Sequence, residues 1–190
     1  MKHLKKTVLL AFVLIAGQAI AQTNPGSADS TSPQPTPNTE RARLKFLAGS
    51  YTTETKIPAS PMAPKGATGK GTSVMSWTLD SMFLLIEEQS MNSLFGQYKG
   101  HGLLGYDAPT GQFVLSMFNN FGDHPFYKGN FVGDTLILIT KVPMPGRPFD
   151  QKLVWYKDGE ALKLRVMNDA GKGFVTSIEQ TATPVTQHPK

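Results

Sequence analysis

The stretch that decides the fold is residues 98–117, which read YKGHGLLGYDAPTGQFVLSM. Its centre, residues 107–111, combines Asp, Pro, Thr and Gly in an order that is typical of a tight turn. After this turn Phe113, Leu115 and Met117 share one side of an extended chain, because successive side chains of a strand point to opposite faces. The stretch therefore predicts two strands joined by a hairpin turn.

The same pattern extends over most of the chain. Other apolar, alternating runs also end at turn signals, such as Gly133-Asp134 and Asp158-Gly159. After residue 47 no stretch keeps the 3.6-residue period of a helix. The pattern predicts ten strands, near residues 50–57, 70–79, 82–91, 96–107, 112–120, 125–132, 135–142, 149–157, 161–168 and 174–183.

Ten consecutive strands joined by short turns favour an all-β fold, a single up-and-down antiparallel β-barrel with a short N-terminal helix. Closing the sheet removes its two exposed edges, and a barrel of this size can hold a small ligand. The alternative is a two-sheet sandwich, which usually needs long crossing connections. Here Pro58–Lys65 and Pro143–Pro148 are the longer connections, and we expect both to be rim loops.

The amino terminus has the features of a cleavable secretory signal. Lys2, Lys5 and Lys6 precede an apolar run at residues 8–16, and Ala19-Ile20-Ala21 matches a cleavage site. The run has about half of the ~20 apolar residues that cross a bilayer. We expect cleavage after residue 21 and export, to the periplasm of a Gram-negative bacterium or to the medium, without a stable membrane anchor. An uncleaved amino-terminal anchor is the alternative.

The segment after the signal has almost nothing to bury. Residues 22–38 are rich in Pro, Ser and Thr, which favours a disordered linker. Thr39 is positioned to cap a short helix in which Leu44 and Leu47 share a face. The predicted organisation is a signal peptide at 1–21, a linker at 22–38, a barrel domain at 39–185 and a tail at 186–190.

Composition excludes several classes of function. The chain has no cysteine, so it has no thiol nucleophile, no thiolate metal site and no lipoprotein anchor. Removing the signal takes away three of the 19 basic residues, which leaves 16 against 14 acidic residues, a net charge of +2. The high pI is thus partly a targeting feature, and we expect no nucleic-acid partner.

Two segments carry a resemblance to a known family. Residues 44–51, a short helix that leads into Gly49-Ser50-Tyr51, resemble the start of calycin-type barrels, in which the first strand has Gly-x-Trp. Residues 98–107 together with 129–136 resemble the DUF1579 family of uncharacterised proteins, over about residues 44–183. The resemblance implies a lipocalin-like barrel that is related in fold to fatty-acid-binding and nitrobindin-like haem barrels. It implies no established activity.

The sequence departs from these patterns at three positions. Tyr51 stands where calycins usually have Trp, and Met117 and Asn119 stand where the family often has Trp and Asp. A role of that Asp in ligand binding would therefore not carry over to this chain.

Two glycine-rich motifs resemble nucleotide-binding loops in amino-acid sequence but not in the structural context or spacing that such loops require. Gly100-x-Gly102-x-x-Gly105 matches the dinucleotide fingerprint, but a turn and a strand follow it where a helix is required. These glycines are better explained by bending of a coiled strand or by space in the lumen. Residues 66–72 lack the spacing of a phosphate loop, and we interpret them as a flexible entry into the second strand.

Polar candidates for catalysis or metal binding are few. His101, His124 and His188 remain after cleavage of the signal, and none has a partner at metal-ligand spacing. In a regular strand His101 faces away from Tyr98, although a bulge among the glycines would reverse it. Glu87 and Glu88 are neighbours on a strand, so they point to opposite faces and do not form an acid–base pair. We expect one of them to point into the barrel. No Gly-x-Ser-x-Gly elbow occurs.

Aromatic, methionine and polar side chains on different strands are the candidates for the lumen. They suit an adaptable apolar pocket, although filling of the core explains any single one of them equally well. The candidate ligand-binding residues are Trp77, Tyr98, His101, Tyr106, Phe113, Met117, Asn119, Phe126 and Trp155.

The leading functional hypothesis is an exported, non-enzymatic barrel that binds a small, mainly apolar ligand and needs no cofactor. One alternative is a haem-binding barrel in which His101 or His124 is the axial ligand. Another is an enzyme acting on a small molecule held in the barrel. Fold alone does not choose between them, because function depends on the site.

Overall fold

The computed structural model describes residues 36–61, 63–143 and 148–185. The predicted signal peptide, the linker up to residue 35, the tail at 186–190 and most of the loop between residues 143 and 148 lie outside the described residues. No helix among the residues described is long and apolar enough to cross a membrane.

Ten antiparallel strands close into one barrel. Each strand pairs with its neighbours in sequence, and the last strand pairs with the first. The up-and-down barrel predicted from the sequence is confirmed. The strands are β1 Gly49–Ile57, β2 Ala67–Thr78, β3 Phe83–Asn92, β4 Gly96–Asp107, β5 Gln112–Asn119, β6 Phe126–Val132, β7 Thr135–Val142, β8 Phe149–Asp158, β9 Ala161–Asp169 and β10 Val175–Pro184.

The strand boundaries differ most from prediction around β2. This strand begins at Ala67, so most of the glycine-rich segment at 66–72 is paired strand. It ends at Thr78 because residues 79–81 all have left-handed backbone, with φ of 50°, 55° and 62°. Side-chain-bearing residues adopt that region rarely, and the composition Leu-Asp-Ser gave no signal for it.

The amino-terminal helix begins earlier than predicted. Helix α1 spans Pro37–Ala42 and continues as a 3₁₀ helix over Arg43–Leu47. The capping residue is Thr36, whose Oγ1 accepts a hydrogen bond from the Thr39 amide at 3.3 Å. The prediction that Thr39 caps the helix is therefore wrong, and the last two residues of the predicted linker are helical.

This helical segment closes one end of the barrel. Leu44 and Leu47 are fully buried in the core, as their predicted shared face requires. The Tyr51 hydroxyl donates to the Leu47 carbonyl at 3.0 Å. The Arg43 guanidinium lies 4.0 Å from the centre of the Phe131 ring. We call this the helix end, and the end that carries the β1–β2, β3–β4, β5–β6, β7–β8 and β9–β10 connections the far end.

The hydrophobic core fills the half of the barrel next to the helix end. Phe113 is fully buried, and its ring lies 5.2 Å from that of Tyr106 and 5.1 Å from that of Phe131. Large apolar side chains from the other strands surround it. They include Leu84, Leu104, Leu136, Trp155 and Leu162.

Candidate functional site

The inward face of the barrel changes from apolar to polar at a similar level on several strands. On β3 the inward residues run from Leu84 and Ile86, both buried, to Glu88, which is partly exposed. On β8 the buried Trp155 and Leu153 are followed by the partly exposed Gln151. Several of the side chains that point inward in the far half are therefore polar, and Glu88 and Gln151 among them are partly exposed.

Two hydrogen-bonded groups lie on opposite walls of this polar region. The Gln180 amide on β10 donates to the Glu88 carboxylate on β3 at 2.5 Å, across the strands β1 and β2 that separate them. On the other side the Tyr127 hydroxyl donates to the Gln151 side-chain carbonyl at 2.5 Å. The Gln151 amide in turn donates to Asn168 at 3.1 Å.

Tyr98 lies between the two groups. It points inward from β4, in register with Ser90 of β3, and its ring centre is 6.1 Å from that of Phe121 in the β5–β6 loop. We call six of the inward-facing polar residues in the far half the lumen cluster. Its members are Glu88, Tyr98, Tyr127, Gln151, Asn168 and Gln180.

Burial shifts the ionisation of the lumen cluster towards neutral forms. Desolvation raises the pKa of Glu88, and the hydrogen bond from Gln180 opposes this by favouring the carboxylate. Desolvation also raises the pKa of Tyr127 to about 12, with a contribution from Asp123. The pKa of Tyr98 is raised by desolvation first and then by the negative charges of Glu88, Tyr127 and Asp123. Both tyrosines are thus neutral hydroxyls near pH 7.

Two hydroxyl groups at the floor of the polar region have no hydrogen-bond partner. Thr53 and Ser73 are each 1% exposed, and their hydroxyl oxygens are unpaired among the described residues. Ser73 lies directly opposite Glu88 in the β2–β3 pairing. Buried hydroxyls without a partner are costly, so this floor can accept further hydrogen bonds.

Most of the aromatic residues predicted to line the lumen belong to the packed core. Phe113 and Trp155 are buried there, and Trp77, Tyr106 and Met117 pack against the same cluster as partly buried residues. Among these candidates Tyr98 alone faces the polar region and belongs to the lumen cluster. Five of the nine candidates thus come together in the helix half.

Asn119 is also at an inward position of β5, but its side chain is occupied by the loop that follows. Its carbonyl oxygen accepts from the Phe121 and Asp123 amides at 2.9 and 3.1 Å. Its amide donates to the Asp123 carboxylate at 3.3 Å. Asn119 therefore holds the shape of the β5–β6 loop at the far end.

His101 and Phe126 do not line the lumen, and the prediction that they do is corrected. The pleat of β4 stays regular through its glycines, so His101 points outward with a side chain that is 58% exposed. Phe126 is 47% exposed on the outer face of β6, where it opposes Ser116. The bulge that would have turned His101 inward does not occur.

The glycines of β4 make room for neighbouring side chains. A Cβ atom at Gly100 would lie 2.6 Å from the Tyr98 hydroxyl, and one at Gly102 would lie 2.2 Å from the Met117 sulfur. A Cβ at Gly105 would lie 2.5 Å from the Phe83 ring. The prediction that these glycines leave space in the lumen is thus corrected. Strand β5 follows β4 directly, so the dinucleotide motif lacks the helix that it needs.

The outer wall of the barrel carries a shallow depression of about 320 Å³ around His101. The His101 Nδ1 lies 3.9 Å from the Glu87 carboxylate, and both side chains are well exposed. Exposed pairs of this kind contribute little energy. In the described part of the chain no group of three or more His, Asp or Glu side chains could hold a metal ion.

Sequence reasoning named Tyr98 and expected one of Glu87 and Glu88 to point into the barrel, but it missed the other members of the lumen cluster. One signal was available for Glu88, because it shares the inward alternation of Leu84 and Ile86. No local signal identified Gln151, Asn168 or Gln180. Each is an ordinary polar residue until the strand register brings it into the lumen.

Comparison with known proteins identifies a family for this chain. The family model described as "Protein of unknown function (DUF1579)" matches residues 36–164, more than half of the chain. The chain belongs to the DUF1579 family. The match begins at the residue that caps α1, eight residues before the resemblance seen in the sequence, and it ends within β9.

One solved structure similar to this DUF1579 protein is described as "Structure of EF1p2_mFAP2b bound to DFHBI". It covers 77% of this chain and 99% of its own, with a TM-score of 0.42 and 11% sequence identity. No curated protein sequence matches the chain.

Proposed function

We propose that this DUF1579 protein is a non-enzymatic binding protein that holds a small molecule in the far half of its barrel. The observation that carries the proposal is the lumen cluster. Polar side chains from β3, β4, β6, β8, β9 and β10 converge above a core that is filled by apolar ones. A few convergent polar groups over an apolar floor are the usual composition of a small-molecule site.

The ligand that this arrangement favours has hydrogen-bonding groups. The sequence suggested a mainly apolar ligand because its aromatic residues were assigned to the lumen. Trp155 and Phe113 are instead buried in the helix half, where they pack against other side chains. A purely apolar ligand in the far half would leave the hydroxyls of Thr53 and Ser73 without partners, which costs free energy. It would also add no hydrogen bond to the Glu88 carboxyl beyond the one from Gln180.

Export is part of the proposal. The support is the amino-terminal sequence, with Lys2, Lys5 and Lys6, an apolar run and Ala19-Ile20-Ala21. The protein would then meet its ligand in the periplasm or outside the cell. A barrel without disulfides in that compartment depends on its packed core for stability.

The test is native mass spectrometry of the protein purified from its own cells, beside two tryptophan variants. Ser90→Trp fills the lumen opposite Tyr98, whereas Gln89→Trp places the same ring on the outer face of β3. We expect a non-covalent mass on the wild type and on Gln89→Trp, and its loss from Ser90→Trp. Thermal melting checks that both variants are folded.

The proposal fails if the folded wild type carries no small molecule and binds none from a metabolite extract. It also fails if Ser90→Trp retains the bound mass as fully as Gln89→Trp, because the molecule would then lie elsewhere.

The raised pKa of Glu88 favours a second candidate, an enzyme in which this carboxyl is a general acid or base. Conversion of the co-purified molecule over time, abolished in Glu88→Gln, would identify that activity. The haem alternative fits the described residues less well. His101 points outward, and His124 lies exposed in the β5–β6 loop.

A further inference from the structure

The lumen cluster contains a carboxyl group, that of Glu88, in addition to neutral polar groups, and this restricts the class of ligand. We infer that the site selects a small organic cation, such as a primary amine on an aromatic or aliphatic body, with Glu88 as its counter-ion. The inference rests on the proposed function, since it names the ligand of that same site.

Glu88 has no cationic partner in the part of the chain that the structure describes. The ion pairs found there use Glu40, Glu54, Glu87, Asp150, Asp158 and Glu179, and none uses Glu88. Its single hydrogen bond comes from the neutral amide of Gln180. A carboxylate oxygen can accept two bonds, so Glu88 has unused acceptor capacity.

The lysines near Glu88 lie on the opposite face of the sheet. Lys70 on β2 and Lys99 on β4 occupy outward, exposed positions, one residue out of phase with the inward residues of their strands. The groups that face Glu88 from the flanking strands are Ser73 on β2 and Gly100 on β4. Neither of these carries a charge, so a cationic ligand would be the first positively charged partner of Glu88 among the groups that face it from β2 and β4.

Other groups around the carboxylate complement an ammonium ion. Asp123, at the far end, adds a second negative charge that influences both Tyr98 and Tyr127. The two tyrosine rings offer aromatic surface, to which cations are attracted. The unpaired hydroxyl of Ser73, 1% exposed and opposite Glu88, can accept a further N–H bond. An ammonium group donates three hydrogen bonds, which matches this set of acceptors.

An anionic ligand is disfavoured by the same arrangement. A fatty-acid carboxylate would lie beside Glu88 with no lysine or arginine facing it from β2 or β4. Like charges at short range in a poorly solvated site repel strongly. The charge of the lumen therefore separates this barrel from barrels that bind carboxylates.

The test compares three probes of nearly equal shape, namely benzylamine, benzyl alcohol and benzoate, by calorimetric titration of the wild-type protein near pH 7. We expect benzylamine to bind about tenfold more tightly than benzyl alcohol, and benzoate to bind most weakly. Glu88→Gln should lose the preference for benzylamine. Glu87→Gln, the matched control on the outer face of the same strand, should keep it.

The outcomes separate the two proposals. If benzyl alcohol binds as tightly as benzylamine and Ser90→Trp abolishes both, the far half binds small molecules but the choice of a cation is wrong. If Glu88→Gln keeps the full preference for benzylamine, Glu88 is not the counter-ion and the inference is overturned. Failure of benzylamine to bind the folded wild type overturns it as well. Melting curves establish that Glu88→Gln is folded, and Glu88→Asp provides a second variant that keeps the charge.

Discussion

The division of the barrel into a packed half and a polar half predicts that replacing two phenylalanines of the same strand by alanine lowers the free energy of unfolding by very different amounts. Phe113 is fully buried on the inner face of β5, with two aromatic rings within about 5 Å of its own. Phe118 is 56% exposed on the outer face of that strand. Replacing each by alanine removes the same atoms, so the difference between the variants reports packing alone.

Phe113→Ala should lower the free energy of unfolding by about 3–5 kcal/mol, the range for a buried aromatic ring replaced by alanine. At about 2–4 °C per kcal/mol for a domain of this size, the midpoint should fall by roughly 6–20 °C. Phe118→Ala should stay within about 0.5 kcal/mol of the wild type. Urea unfolding followed by the emission of Trp77 and Trp155 measures the free energies of both variants, and thermal unfolding followed in the same way measures the midpoints.

A folded domain of ordinary stability, about 5–15 kcal/mol, survives most of this range. If Phe113→Ala does not fold, Phe113→Leu should show a smaller loss in the same direction. The reasoning is refuted if the Phe113 and Phe118 variants lose the same amount within about 1 kcal/mol. The helix half would then be loosely packed, and the ligand could lie there.

Three further predictions each concern a single position in the chain. The pKa of Glu88 is raised in the folded state, so its contribution to stability is complete below about pH 4.3, the unfolded value, and is lost as the pH rises through the folded pKa. In urea unfolding without ligand, Glu88→Gln should therefore be more stable than the wild type at pH 8, and the difference should vanish near pH 4. A difference in stability that is independent of pH would contradict the burial of Glu88. Gly102→Ala should lower the free energy of unfolding by about 1–3 kcal/mol in the same assay. The reason is that its Cβ would lie 2.2 Å from the Met117 sulfur and 2.9 Å from a backbone carbonyl. An unchanged free energy of unfolding would mean that β4 and β5 are not so close. Sequencing of the exported protein should give an amino terminus at Gln22, and a chain that still begins at Met1 would exclude the predicted cleavage.

The fold could be predicted closely from the sequence because the ends and the inner face of each strand are indicated by residues within or next to that strand. Turn residues such as Gly133 and Gly159, both with left-handed backbone, mark where strands end. Alternation along the strand from Gln112 to Asn119 gave the correct inner face, with Phe113 and Leu115 buried. The turn at residues 79–81 was misplaced by one residue at each side because its left-handed residues are Leu, Asp and Ser, and no glycine marks the turn.

The site was harder to predict because it is assembled from residues that are distant in sequence. Gln180 and Glu88 are 92 residues apart, and their contact depends on the register of every strand between them around the barrel. Sequence reasoning favoured large aromatic residues as ligand contacts, although in a barrel of this size the largest inward side chains serve first to fill the core. Tyr98 was found because it is aromatic and lies on a predicted strand.

The most direct test of the ligand site is a nuclear magnetic resonance titration that follows side-chain amide groups, with benzylamine as the probe. The NH₂ groups of Gln151 and Gln180 lie in the lumen cluster, and those of Gln89 and Gln97 lie exposed on the outer faces of β3 and β4. We predict saturable shifts of the Gln151 and Gln180 resonances at ligand concentrations that leave Gln89 and Gln97 unchanged. Saturable shifts confined to Gln89 or Gln97, or saturable shifts elsewhere that leave Gln180 unchanged, would contradict the assignment of the ligand to the far half of the barrel.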